Sequence, residues 1–259
     1  MNYELRGVIY EMRYEAIMLF CIVFLFSSCS YIADIDREGE TISKEIAWNG
    51  ASRIEILAPV RFIPINSDEC KIRLTGMDFI VNDYEITDAG DTLIIKHKKS
   101  LNIQENKIAT LEVYATDFKT IFINSPCQLA SYDTLTFNSL QMIVNGSGAL
   151  MTGHLLLKGN DFRFMAFGGS NRCRPRFSGT VNSAYFQLQG GSDADASSLL
   201  TSMAVVEQRS NGNCSVSISN HLKATIYSTG NIYCWGKPET EFVRVENNLM
   251  QATGELVYR

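Results

Sequence analysis

VNGSG (residues 144–148) is the first of five similar stretches, and the others are FGGSN (167–171), QGGSD (189–193), SNGN (210–213) and STGN (228–231). Four of their glycines are 22 residues apart and the fifth follows after 18: Gly146, Gly168, Gly190, Gly212 and Gly230. Glycine permits the positive φ of sharp turns, and neighbouring Asn and Ser side chains bond to local backbone. A turn repeated every 20 to 50 residues or so is typical of solenoids, propellers and arrays.

The residues before each glycine show a second pattern, an alternation of mostly apolar and more polar positions. Side chains at every second position of a strand face the same side of the sheet. A 22-residue step therefore predicts three inner columns, in which Phe164 stacks on Phe186 and Leu188 on Ala166. The predicted columns are Leu140, Phe162, Ala184 and Val206; Met142, Phe164, Phe186 and Gln208; Val144, Ala166, Leu188 and Ser210.

The repeat length selects an all-β fold, a parallel β-helix with coils of about 22 residues. Such a coil holds two or three strands of roughly five residues with their turns. A propeller blade is about twice as long, and the leucine-rich pattern is absent. We predict an N-terminal β-strand region over residues 46–120 and a repeat region over 121–259, with 46–259 forming one continuous domain. The N-terminal strands are expected either to cover the first coil or to form irregular coils.

The N-terminus has the features of an export signal. Ile17 to Phe26 is an apolar run too short to span a bilayer as a helix, and FSSC follows it. Small residues before Cys29 resemble a bacterial lipobox, so we predict a signal peptide over 1–29 with lipid attached to Cys29. Met1 and Met12 both remain candidate start sites. Residues 30–45 are predicted to be an acidic linker, and an uncleaved anchor helix or plain secretion are the alternatives.

Charge and cysteine content exclude several classes. The net charge is −5 and no basic cluster is present, which argues against nucleic-acid binding. No cysteine or histidine spacing suits a metal, and we expect no cofactor. Five cysteines follow Cys29, and we expect most to be free and buried, with one disulfide as the alternative. Their pairing stays open: Cys70, Cys127, Cys173, Cys214 and Cys234.

Several stretches together resemble the DUF2807 family, described as the auto-transporter adhesin head, GIN domain. They are the lipobox, the strands RIEI and VRF near residues 53–62, the serial GSG-like turns, and YSTGNIYCWGKPE at 227–239. The resemblance spans residues 46–240. It implies an exported lipoprotein of a Gram-negative bacterium with a right-handed β-helical fold. It implies no catalytic residues.

Two groups of residues are candidate binding sites. A 22-residue step brings Arg172, Arg174 and Arg176 near Asp193 and Asp195, as an acidic-sugar site or, as the favoured alternative, a solvated ion-pair patch with an Asx turn. The second candidate is Phe167, which lies outside the inner columns and is available for sugar stacking. Phe162 and Phe164 lie in those columns and are predicted to be core.

These features predict a lipid-anchored binding protein, a cell-surface adhesin of the outer membrane for an unidentified protein or glycan. The alternative is a periplasmic scaffold, and a polysaccharide-acting enzyme is less favoured because no nucleophile or nucleotide motif is present. Oligomeric state and the side of the outer membrane on which the protein faces are left open.

Overall fold

The computed structural model describes residues 39–98, 108–148, 150–247 and 250–259. The signal peptide, Cys29, the alternative starts and most of the acidic linker lie outside the described residues. Thr41–Arg259 forms one compact unit. Its elements are β1 (Thr41–Ala47), β2 (Arg53–Ile56), β3 (Val60–Asn66), β4 (Lys71–Met77), α1 (Asp78–Val81), β5 (Tyr84–Asp88), β6 (Thr92–His97), β7 (Ala109–Ala115), β8 (Thr120–Ile123), β9 (Cys127–Leu129), β10 (Leu135–Val144), a 3-10 turn (Gly146–Gly148), β11 (Thr152–Ala166), β12 (Arg174–Gly190), β13 (Ala194–Ser210), β14 (Cys214–Ile226), β15 (Ile232–Trp235), β16 (Glu239–Arg244), β17 (Glu246–Asn247), β18 (Met250–Gln251) and β19 (Leu256–Tyr258).

The strands from β10 to β16 stack in parallel, one coil on the next. β11 pairs with β10 and β12, and β13 pairs with β12 and β14. Phe164 lies opposite Phe186, and Ala166 opposite Leu188, as the 22-residue step predicts. The predicted parallel β-helix is therefore confirmed.

The coil length, however, is not constant. Ala184 lies opposite Ala204, a step of 20 residues, and the ends of β13 and β14 are offset by 18. Val206 consequently lies opposite Phe186, and Gln208 opposite Leu188, so these column assignments were wrong by one inner position. The register shifts between Ala196 and Leu200, where a β-bulge absorbs residues that a strict 22-residue repeat would place in the ladder.

Phenylalanines fill the inside of the central coils. Phe162 and Phe177 have ring centroids 4.9 Å apart in an edge-on arrangement, and Phe164 and Phe177 are 5.2 Å apart. These rings and Phe186 are buried. Aromatic pairs in this geometry add about 0.5–1.5 kcal/mol each beyond the burial of their area. The predicted core role of Phe162 and Phe164 matches their positions.

Residues 46–120 supply both a cover and further coils. β2 and β3 join the parallel ladder through β8 and β9, whereas β1, β4 and β5 pair antiparallel with their neighbours. Helix α1 adds the buried side chains of Ile80 and Val81. Strand β1 begins at Thr41, so the last five residues of the predicted linker belong to the folded unit.

The turn glycines are required for different reasons. Gly190 has a φ of +68°, and a Cβ built on it would lie 2.6 Å from the carbonyl oxygen of Gly168. Gly230 lacks a positive φ, but its Cβ would lie 1.7 Å from the oxygen of Gly212. Gly254 continues this column, because its Cβ would lie 2.1 Å from the oxygen of Gly230. At Gly146 the nearest atom would be 3.8 Å away, so neither reason applies there.

We predict that Gly190→Ala lowers the free energy of unfolding by at least ~2 kcal/mol, because a side chain is strained at positive φ and collides with the coil below. Gly146→Ala is the matched control and should change it by less than about 0.5 kcal/mol. Urea denaturation followed by circular dichroism measures both. Equal midpoints for the two variants would contradict this account of the turns.

The five cysteines among the described residues are unpaired, and four of them are buried. Burial raises the pKa of the Cys127 and Cys214 thiols, and it raises that of Cys173 to about 11. A thiol held protonated inside the coils is a poor nucleophile. These cysteines act as small apolar side chains.

Maleimide labelling of the native protein at pH 8 should modify the half-buried Cys70 at least ~10-fold faster than Cys127, Cys173 or Cys214, because labelling requires an accessible thiolate. Peptide mapping by mass spectrometry follows each cysteine separately. Labelling in denaturant is the control and should remove the difference. Rapid native labelling of Cys214 would show that the coils open.

Candidate functional site

Five parallel strands begin side by side along one edge of the solenoid. Their order across the sheet is β7, β3, β9, β11 and β12. An open cavity of about 470 Å³ lies where they begin, and we call it the trough. Its described lining consists of residues just before or at the start of these strands: Pro59, Ile108, Pro126, Cys127, Gln128, Leu150, Thr152, Arg172 and Arg174.

One side of the trough is aliphatic. Ile108 precedes β7, Pro59 precedes β3, Pro126 precedes β9 and Leu150 precedes β11. Leu150 is 66% exposed, which is unusual for a large apolar side chain held on a sheet. Adjacent strands are spaced by about 4.8 Å, so these residues form a short apolar row across four strands.

Two guanidinium groups end this row on the β12 side. Arg174 Nε lies 3.2 Å from Asp193 Oδ2, and the two side chains are 69% and 34% exposed. Arg172 makes no hydrogen bond or ion pair with any residue that the structure describes. Thr152 and Gln128 lie beside Arg174 in register on the two preceding strands. The trough therefore combines an aliphatic wall with an unshared positive charge at one end.

The structure separates the sequence-predicted site residues. Arg174 contacts Asp193, whereas Arg176 lies opposite Asp195 in the ladder without an ion pair among the described residues. Asp193 Oδ1 also accepts a hydrogen bond from the backbone N–H of Asn213 at 2.9 Å.

Asp195 and Phe167 have local roles or lie elsewhere. Asp195 Oδ1 accepts hydrogen bonds from the backbone N–H and the hydroxyl of Ser197, at 3.1 and 2.6 Å, which is an Asx turn. Phe167 is half-buried and follows the end of β11, whereas Arg172 and Arg174 lie at the start of β12. No described contact joins Phe167 to the arginines.

Sequence reasoning missed the aliphatic wall of the trough. Its members come from segments with no common spacing, and the region before residue 121 lacks the 22-residue repeat. The paired prolines Pro59 and Pro126, each just before a short apolar strand, were the available signal.

Asp193→Ala is predicted to lower the free energy of unfolding by about 1 kcal/mol, because it leaves the Asn213 N–H without its acceptor. Arg174→Ala removes an exposed ion pair and should cost less than about 0.5 kcal/mol. Thermal melts at low and high salt separate the two effects. If the two substitutions were equally destabilising, and salt abolished both effects, the ion pair rather than the turn bond would be the stabilising contact.

The fold and the trough can now be compared with known proteins. A profile of the family DUF2807, described as "Putative auto-transporter adhesin, head GIN domain", matches residues 30–238. The chain belongs to this family. No curated protein matches DUF2807 chains of this sequence closely enough to be counted a relative.

Solved structures share the fold of this DUF2807 chain. One from Bacteroides fragilis, titled a putative adhesin, has a TM-score of 0.72 at 14% identity, covering 86% of this chain and 98% of its own. One from Parabacteroides distasonis, titled a putative lipid binding protein, has a TM-score of 0.64 at 17% identity with the same coverage. A putative adhesin from Parabacteroides merdae has a TM-score of 0.60 at 13% identity, covering 86% of this chain and 97% of its own. At these identities the likeness shows the fold.

Proposed function

We propose that this DUF2807 chain is an exported, lipid-anchored binding protein that serves as a cell-surface adhesin. The observation that carries the proposal is the straight alignment of exposed side chains across the parallel ladder. Arg61, Gln128, Thr152 and Arg174 lie in register on four adjacent strands, and all four are exposed. A rigid surface with regularly spaced contacts lets many weak interactions add.

Family membership supports the adhesin role, since the family description names an adhesin head. The apolar run at Ile17 to Phe26 and the small residues before Cys29 support export and lipid attachment. In the part of the chain that the structure describes, no helix is both long and apolar enough to cross a membrane. Attachment through a lipid on Cys29 would hold the solenoid at a membrane.

The trough favours binding over catalysis. Polysaccharide hydrolysis commonly uses two carboxylates on either side of the scissile bond. None of the described residues that line the trough is Asp, Glu or His. Asp193 and Asp195 instead accept backbone hydrogen bonds in turns.

The location is tested by protease shaving of intact cells. We expect the protein to be degraded without breakage of the outer membrane, because a surface adhesin is accessible from outside. A periplasmic protein detected in the same cells is the control and must stay intact. Protection of this chain until the membrane is broken would leave the periplasmic scaffold as the function.

The anchor is tested by Cys29→Ser, with Cys21→Ser as the matched control. We expect only Cys29→Ser to abolish incorporation of labelled fatty acid, because the thiol of Cys29 is the predicted attachment point. Incorporation that survives Cys29→Ser would exclude this anchor.

A further inference from the structure

We propose that the trough binds a single-chain aliphatic carboxylate, with its hydrocarbon along the apolar row and its carboxylate on Arg172 and Arg174. This deepens the proposed binding function by naming the ligand chemistry of its site. The inference joins three observations: the shape of the cavity, its aliphatic wall and the charge at one end.

The shape fits a narrow apolar chain. The aliphatic wall runs from Ile108 through Pro59 and Pro126 to Leu150, three inter-strand steps that span about 14 Å. The volume of about 470 Å³ lies within the usual range for small-molecule sites. The wall runs straight across the strands, so an extended chain contacts all four residues at once.

The wall chemistry favours a hydrocarbon over a sugar. Sugar sites in proteins stack the pyranose face on aromatic rings, and none of the described lining residues is aromatic. Proline, isoleucine and leucine side chains present CH groups without hydrogen-bonding atoms. A ligand that buries Leu150 also removes from water a side chain that is 66% exposed in this structure.

The polar end requires an anion. Arg172 is without a partner among the described residues, and Arg174 shares its guanidinium with one exposed carboxylate. A guanidinium group binds a carboxylate through two parallel N–H donors. Thr152 and Gln128 lie beside Arg174 and offer further polar contacts. No carboxylate side chain belongs to the described lining, so an anionic head meets no opposing charge there.

The test uses residues 30–259, which contain the compact unit Thr41–Arg259 with its own core. Isothermal titration with dodecanoate below its micelle concentration should give saturable binding near one molecule per chain. Dodecyltrimethylammonium and acetate are the comparison probes, and each should bind at least ~10-fold more weakly, because one lacks the negative charge and the other the chain. Absence of saturable dodecanoate binding, or equal binding of the cation, would overturn the proposal.

Matched variants locate the site. Arg172→Ala should weaken dodecanoate binding at least ~10-fold, whereas Arg176→Ala, an exposed arginine outside the trough, should change it less than about twofold. Leu150→Asp should abolish binding, and Leu200→Asp, which alters a leucine 60% exposed elsewhere, should not. Equal effects within either pair would place the ligand outside the trough.

The result is separable from the proposed function. A chain that binds dodecanoate but is protected in intact cells keeps the ligand assignment and loses the surface location. A chain that is degraded on intact cells but fails to bind dodecanoate keeps the surface location and loses the ligand assignment.

Discussion

The structure depends on the parallel backbone ladder, in which each coil hydrogen-bonds to the coils on either side. A ladder of this kind forces like positions to lie over like positions, so a side chain is defined by its neighbours one coil away. Phe164 is buried because Phe186 continues its column, and the turn at Gly190 is tight because the turn at Gly168 lies directly beneath it. Core, turns and surface rows all follow from this single constraint.

The same constraint builds the trough. Side chains that precede five different strands become neighbours only because those strands are in register. The apolar wall is assembled from single residues of separate coils, and so is the polar row that begins at Arg61. Functional surfaces of this fold therefore run across the strands, and no short sequence motif encodes one.

Sequence reasoning succeeded where the spacing was regular and failed where it changed. The stacking of Phe164 on Phe186 follows from a 22-residue step, but Val206 and Gln208 were misplaced because the next step is 20 residues. Gly254 was overlooked because it follows Gly230 after 24 residues, although its turn stacks on the same column. At the candidate site, Arg172 and Arg174 were chosen by spacing, whereas Pro59 and Pro126 belong to coils whose lengths no repeat reveals. Alternation within a strand is local and readable, while the length of each coil is set by bulges and turns whose cost depends on the coil beneath.

The inner column that contains Phe164, Phe186, Val206 and Ala224 ends on Phe242, which is 41% exposed although it continues a buried row. The first coils are covered by antiparallel strands and α1, so the two ends of the stack are not equivalent. Growth by another coil at the Phe242 end would bury more apolar surface without changing a contact made near the trough. The number of coils can thus vary independently of the site, and reach from the membrane becomes a property that evolution can adjust by duplication alone.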